Sequence, residues 1–140
     1  MNRKKAIWII AVVLLLAVIG IAGFFLMHRS TYTLELPQAE TLESMVISTD
    51  TAQEEITDME KIRDLIYVLK DNGRTTKRES MNDFPVNAEN PIKIEFCQVR
   101  GGSSVLYIYV QKNRYYIEQP YNGIYQISGD EYNSVAKYVL

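Results

Sequence analysis

An uncharged run of twenty-two residues, 6–27 (AIWIIAVVLLLAVIGIAGFFLM), constrains this chain more than any other feature. A helix rises about 1.5 Å per residue, so the run reaches about 33 Å and can cross a hydrocarbon core of about 30 Å. A single segment crosses lipid only as a helix, because lipid offers no partner to free backbone N–H and C=O groups. Arg3, Lys4 and Lys5 precede the run, and cationic flanks stay cytoplasmic. The expected topology therefore has the N-terminus inside and the rest of the chain outside. A cleaved signal peptide is the alternative; it has the same charge layout but an apolar core of about 7–15 residues. Here the core is longer and ends in Phe24, Phe25, Leu26 and Met27, although Ala17 and Ala22 offer cleavage positions. No cysteine follows to carry a lipoprotein anchor. Gly20 and Gly23 are three apart, not the four of a Gly-x-x-x-Gly pairing face.

The spans expected are a tail at 1–5, a transmembrane helix at 6–27, a linker at 28–33 and an extracytoplasmic domain at 34–140. Of 15 Lys+Arg, three precede the helix, which leaves 12 against 17 Asp+Glu, or −5. That sign gives no support to nucleic-acid binding or to docking on anionic lipid, and is compatible with a cationic peptide or protein. Cys97 is the only cysteine, so no intrachain disulfide forms; the expectation is a buried thiol, with an intermolecular bridge as the alternative. His28, the only histidine, sits at the membrane edge. A Ser-His-Asp or Cys-His arrangement therefore cannot be built in the domain, and a zinc site with His and Cys ligands has no basis. No cofactor or metal is expected. Paired carboxylates stay open as a catalytic device, but nothing marks a pair.

Alternation predicts a strand over 31–36 (TYTLEL), ended by Pro37, and a second over 42–49. Residues 50–55 read as a loop. Thr57 with Glu60 has the spacing of a capping box, and Met59, Ile62, Leu65, Ile66 and Leu69 form one apolar stripe. Asn72-Gly73 ends that helix. Residues 74–90 lack periodicity and carry the cations Arg74, Lys77 and Arg78, read as a solvated loop or an anion site. Loops of this length are functional or hide a short strand. A meander follows, with strands at 92–97, 104–110, 115–119 and 124–127. Ser128 with Glu131 forms a second capping box before a short helix carrying Tyr132, Val135, Ala136 and Val139. The fold class is α+β: an N-terminal transmembrane helix, then a mostly antiparallel sheet in the order β-β-α-β-β-β-β-α with helices packed on it.

Register places the candidate site. With a two-residue turn at Lys112-Asn113, Val110 faces Tyr115, Ile108 faces Ile117, Tyr109 faces Tyr116 and Tyr107 faces Glu118. One face is then aliphatic (Ile108, Val110, Tyr115, Ile117) and the other holds Tyr107, Tyr109, Tyr116 and Glu118. For Ile94 and Phe96 to join the aliphatic face, the preceding turn must hold three residues, Gly101-Gly102-Ser103. Eight of the ten tyrosines fall between Tyr107 and Tyr138. Aromatics with polar tips suit recognition surfaces, and a carboxylate among them can bind a cation or act as a base. The plainer alternative is structural: tyrosine forms strands well, and Glu118 can satisfy a backbone donor or a cation. The candidate binding residues are Tyr107, Tyr109, Tyr116, Glu118 and Tyr121, the last in the turn 120–123 (PYNG).

Three features together resemble a known family: Leu36-Pro37, the acidic-capped helix, and Thr76, Ser80, Asp83 and Pro85 in a T-x-x-x-S…D-x-P segment. The longest match is YYIEQPYNGIY, Tyr115–Tyr125. These resemble an uncharacterised extracytoplasmic domain of Firmicutes bacteria, found on membrane-anchored or exported proteins. The resemblance covers about 34–140. It implies a Gram-positive cell surface and transfers no catalytic or ligand residues, though it gives weight to Glu118 and 120–123. The expected function is non-enzymatic: a membrane-tethered module that binds a peptide, protein or envelope component, or serves another membrane protein. The alternatives are a secreted binding or inhibitor protein released by signal peptidase, and a small hydrolase using Glu118 and Asp83 across an open cleft.

Overall fold

The computed structural model describes residues 2–28 and 30–140; Met1 of the expected tail and Arg29 of the expected linker lie outside the described residues. The chain divides into two units, Met1–Ser30 and Thr31–Leu140. The first is one helix, α1 (Arg3–Met27), which takes Arg3, Lys4 and Lys5 into its first turn. Apolar side chains fall on every side of this helix, with Trp8 near its start and Phe24 and Phe25 near its end. A helix without a polar face is not a surface helix of a water-soluble domain. Its length and composition suffice to cross a membrane.

The second unit is an α+β lobe. Its strands are β1 (Tyr32–Thr33), β2 (Leu42–Ser48), β3 (Gln53–Ile56), β4 (Thr75–Thr76), β5 (Glu89–Gln98), β6 (Ser103–Gln111), β7 (Arg114–Glu118) and β8 (Ile124–Ile127). Its helices are α2 (Met59–Lys70) and α3 (Gly129–Ala136). Six strands form one antiparallel sheet in the order β3-β2-β5-β6-β7-β8, while β1 and β4 pair as a separate ribbon. Ile62, Leu65 and Leu69 of α2 and Tyr132, Val135 and Ala136 of α3 share one core with Met45, Ile47, Ile94, Phe96, Ile108 and Ile117 of the sheet. The aliphatic face is therefore the helix-covered face.

The β6–β7 register is the expected one: Tyr107↔Glu118, Ile108↔Ile117, Tyr109↔Tyr116 and Val110↔Tyr115. Lys112 and Asn113 both have positive φ, 50° and 61°, the signature of the tight hairpin turn whose twist matches the strands. The β5–β6 turn also keeps the expected parity, since Ile94 pairs with Leu106 and Ile92 with Ile108. The loop itself differs. Gln98 N–H bonds Gly102 O at 3.0 Å, so the three residues are Val99, Arg100 and Gly101 rather than Gly101, Gly102 and Ser103. Gly101 and Gly102, at φ 91° and 82°, supply the left-handed exit that a side chain resists. Pro91 sits where the β5–β6 register shifts, between Glu89 and Ile92, because proline cannot donate to a ladder.

Four further expectations of local structure change, and Cys97, expected to be buried, is half-buried. The strand over 31–36 is ladder-paired only at Tyr32 and Thr33; beyond it, Leu34 N–H donates to Arg74 O at 2.9 Å and Glu35 is held by a side chain. The expected loop 50–55 runs into the edge strand β3, where only Ile56 is buried, so alternation is invisible. The N-cap of α2 is Asp58, not Thr57: its Oδ1 accepts from Glu60 N at 2.9 Å and Lys61 N at 3.5 Å, and a carboxylate there also meets the positive end of the helix dipole. The left-handed exit from α2 begins one residue early, at Asp71 (φ 41°), and continues through Asn72 and Gly73. The Ser128–Glu131 capping box is present in full. The aperiodic segment 74–90 does hold a short strand, β4, and a bridge from Glu79 to Gly123.

Candidate functional site

The tyrosine face of β6 and β7 is assembled as the register requires, and residues 77–88 lie across it as a strap. Glu118, on β7, is 1% exposed. Its Oε1 accepts from Ser80 Oγ at 2.6 Å and its Oε2 from Tyr109 Oη at 2.9 Å. Tyr109 is as deeply buried as Glu118. Burial, then the Glu118 charge and hydrogen bond, push its phenol well above the ordinary value. Tyr116 stacks on Tyr109, ring centroids 5.7 Å apart, and the Arg78 guanidinium lies 5.4 Å from the Tyr116 centroid. Tyr107 meets Phe84 of the strap edge-on at 5.1 Å. Three strap residues thus engage three of the four expected face residues, and Tyr109 is held from within the sheet by Glu118 and Tyr116. A buried carboxylate needs hydrogen bonds in place of water, and here the strap supplies one through Ser80 and the sheet supplies the other.

Glu118 therefore faces no open cleft of the kind a two-carboxylate mechanism uses. Asp83, the other carboxylate of that reading, hydrogen-bonds the Tyr121 hydroxyl and raises its pKa. Of the basic cluster, Arg78 stacks on Tyr116, and Arg74, its side chain 9% exposed, bonds Leu69 O and Gln126 O and pairs with Glu131.

The turn after Glu118 is braced on both sides. Gln119 N–H bonds Gly123 O at 2.9 Å, and Asn122 N–H bonds Gln119 O at 3.0 Å. The Gln119 side-chain amide grips Glu35 like a strand partner: Oε1 accepts from Glu35 N at 2.9 Å and Nε2 donates to Glu35 O at 2.7 Å. Asn122 Nδ2 donates to Thr33 O at 2.8 Å. On the other side, Ser80 N–H bonds Asn122 O and Ile124 N–H bonds Arg78 O. Gly123 is required by close approach. A Cβ there would stand 2.7 Å from Thr76 Cγ2 and 2.8 Å from the Tyr125 hydroxyl. That hydroxyl is buried and has no hydrogen-bond partner among the described residues.

Tyr121 is the exception in this turn. It takes φ 57° and is 67% exposed. A non-glycine residue at positive φ is uncommon, and an aromatic one is strained. Met81, Phe84 and Val86 of the strap are also more than half exposed. Of the five candidate residues, then, Tyr109 and Glu118 are buried, Tyr107 and Tyr116 half-buried beneath the strap, and Tyr121 alone stands out in solvent. Sequence reasoning missed Gln119 and Asn122 as clamps; their one signal was their place inside the YYIEQPYNGIY stretch. Among the described residues no His, Cys, Asp and Glu group is arranged to hold a metal ion.

Fold and site together define a class: a small antiparallel α+β lobe, strapped across its tyrosine face, in a chain that also carries an N-terminal apolar helix. The chain belongs to the DUF5301 family, described as a domain of unknown function, whose model matches residues 30–126. That match takes in the strap, the braced turn and most of the sheet. No curated protein and no solved structure matches the chain.

Proposed function

We propose that this is a single-pass membrane protein with its N-terminus in the cytoplasm and its lobe at a Gram-positive cell surface. In this reading the lobe is a non-enzymatic module that binds a peptide, protein or envelope component, or acts as an accessory to another membrane protein. The observation that carries the binding role is Tyr121, an exposed aromatic ring held at φ 57° on a turn braced from both sides. Strained residues persist where the surroundings over-determine them, and they cluster at functional sites. A rigid tyrosine also gives large contact area at low entropy cost. The tether is supported by the all-round apolar surface of α1 and the three cations in its first turn.

The test is crosslinking and pull-down from native membranes, comparing the natural chain with Tyr121→Ala. The expected result is a specific partner captured by the former and lost by the latter, at unchanged membrane abundance. Equal capture by both would remove Tyr121 from the role. N-terminal sequencing of the mature protein decides the tether: a start after Ala22 would make it a secreted binding or inhibitor protein instead.

A further inference from the structure

The two edges of the six-stranded sheet are treated differently. The β8 edge is covered near its start, where Glu79 bridges Gly123 and Arg78 O accepts from Ile124 N–H. Among the described residues no strand pairs with the outer edge of β3. The hairpin bond from Thr49 N–H to Ala52 O, 2.8 Å, sets the alternation there. Hydrogen-bonded pairs fall at every second position of an antiparallel ladder. Ile47↔Glu54 and Met45↔Ile56 are then the bonded pairs, and the N–H and C=O of Gln53 and Glu55 point outward. An unpaired row of this kind is a template for an added strand.

Charge selects what is added. From Asp50 to Glu60 the chain holds five carboxylates (Asp50, Glu54, Glu55, Asp58 and Glu60) and no cation. Beside the edge runs a groove of about 150 Å³, lined by Glu54, Glu55, Ile56, Asp58 and Tyr138, with Lys61 as its one cation. A second copy of this chain pairing here would set Glu54 and Glu55 against their own equivalents, and like charges across a ladder repel. An extended cationic segment meets no such barrier. We propose that the β3 edge takes up an extended, lysine- or arginine-rich peptide segment of a partner protein by strand addition. Main-chain bonds to Gln53 and Glu55 would hold it, its cations would meet Glu54 and Glu55, and one side chain would enter the groove.

The test uses the full chain in detergent micelles and a blocked eight-residue peptide of lysine and valine with adjacent lysines at its centre, so that one cation falls on each face of the added strand. The expected result is saturable binding that weakens with salt, with slowed amide exchange at Gln53 and Glu55. The double variant Glu54→Gln, Glu55→Gln and the single variant Glu55→Pro should each weaken binding by about tenfold or more. Proline removes only an outward N–H, which edge strands tolerate; the glutamine pair covers the case in which proline disturbs the fold. Absence of saturable binding, equal binding of a glutamate–valine peptide, or unprotected amides at Gln53 and Glu55 would overturn the proposal. This edge is separate from the Tyr121 turn. Tyr121→Ala should leave peptide binding unchanged, so the two readings fail independently.

Discussion

Arg74 and Glu131 stand fifty-seven positions apart and form an ion pair that ties the exit of α2 to the first turn of α3. The arginine side chain is 9% exposed and the glutamate 20%. Burial opposes ionisation of Glu131 more than any other single effect, but Ser128 N–H and the Arg74 guanidinium together outweigh it and hold the carboxyl below its ordinary value of 4.5. Glu131 thus serves the capping box and the clasp at once.

Removing the cation from this pair leaves a largely buried carboxylate without its partner. Arg74→Met should lower stability at pH 7 by about 2–3 kcal/mol. A carboxyl with a lowered folded pKa contributes stability that is full above its unfolded value and lost as pH falls through the folded value. The gap in urea midpoint between the natural chain and Arg74→Met should therefore be constant at neutral pH and narrow below about pH 4.5. Denaturation series across pH measure it.

Glu118 holds the strap through Ser80 and supports Tyr109. Glu118→Gln exchanges one acceptor oxygen for a donor facing a hydroxyl, at a site closed to water. The expected loss is about 1–2 kcal/mol, or a fall of about 5–10 °C in Tm. Strap amides such as Ser80 should exchange faster in the variant. An unchanged Tm would mean that the buried carboxylate is not what fastens the strap.

Tyr125 buries a hydroxyl that bonds to nothing among the described residues. An unmet buried polar group costs about 1–3 kcal/mol, so Tyr125→Phe should raise stability by about 1 kcal/mol. Burial, with help from the Glu35 charge, pushes this phenol up to about 12 from 10. A raised folded pKa gives stability that is present below pH 10 and lost as pH rises towards 12. The phenylalanine variant should accordingly lose less stability in that alkaline window, as read by thermal melts.

Tyr121 sits where glycine is the natural choice. Tyr121→Gly should keep or raise thermal stability, by up to about 1 kcal/mol, while Tyr121→Ala keeps the strain and gains nothing. A marked loss in the glycine variant would show that the ring, through Asp83, serves the fold instead.

The sequence by itself determined whatever rests on local order. The apolar run of α1, the stripe of α2, the Ser128–Glu131 box and the β6–β7 register all follow from spacing, because helix and strand periods are properties of neighbouring residues. The parity of the β5–β6 hairpin was legible for the same reason, although its loop residues were not: two glycines in a row fit more than one frame. Only the tertiary structure decided that residues 77–88 cover the tyrosine face. That covering depends on Ser80 meeting Glu118 across thirty-eight positions, and no pattern along the chain records such a meeting. The edge strand β3 escaped reading because a strand buried at one residue has no alternation to show. The Gln119 and Asn122 clamps escaped it because a polar side chain in a turn looks solvated until its partner, a backbone group more than eighty residues away, is brought beside it.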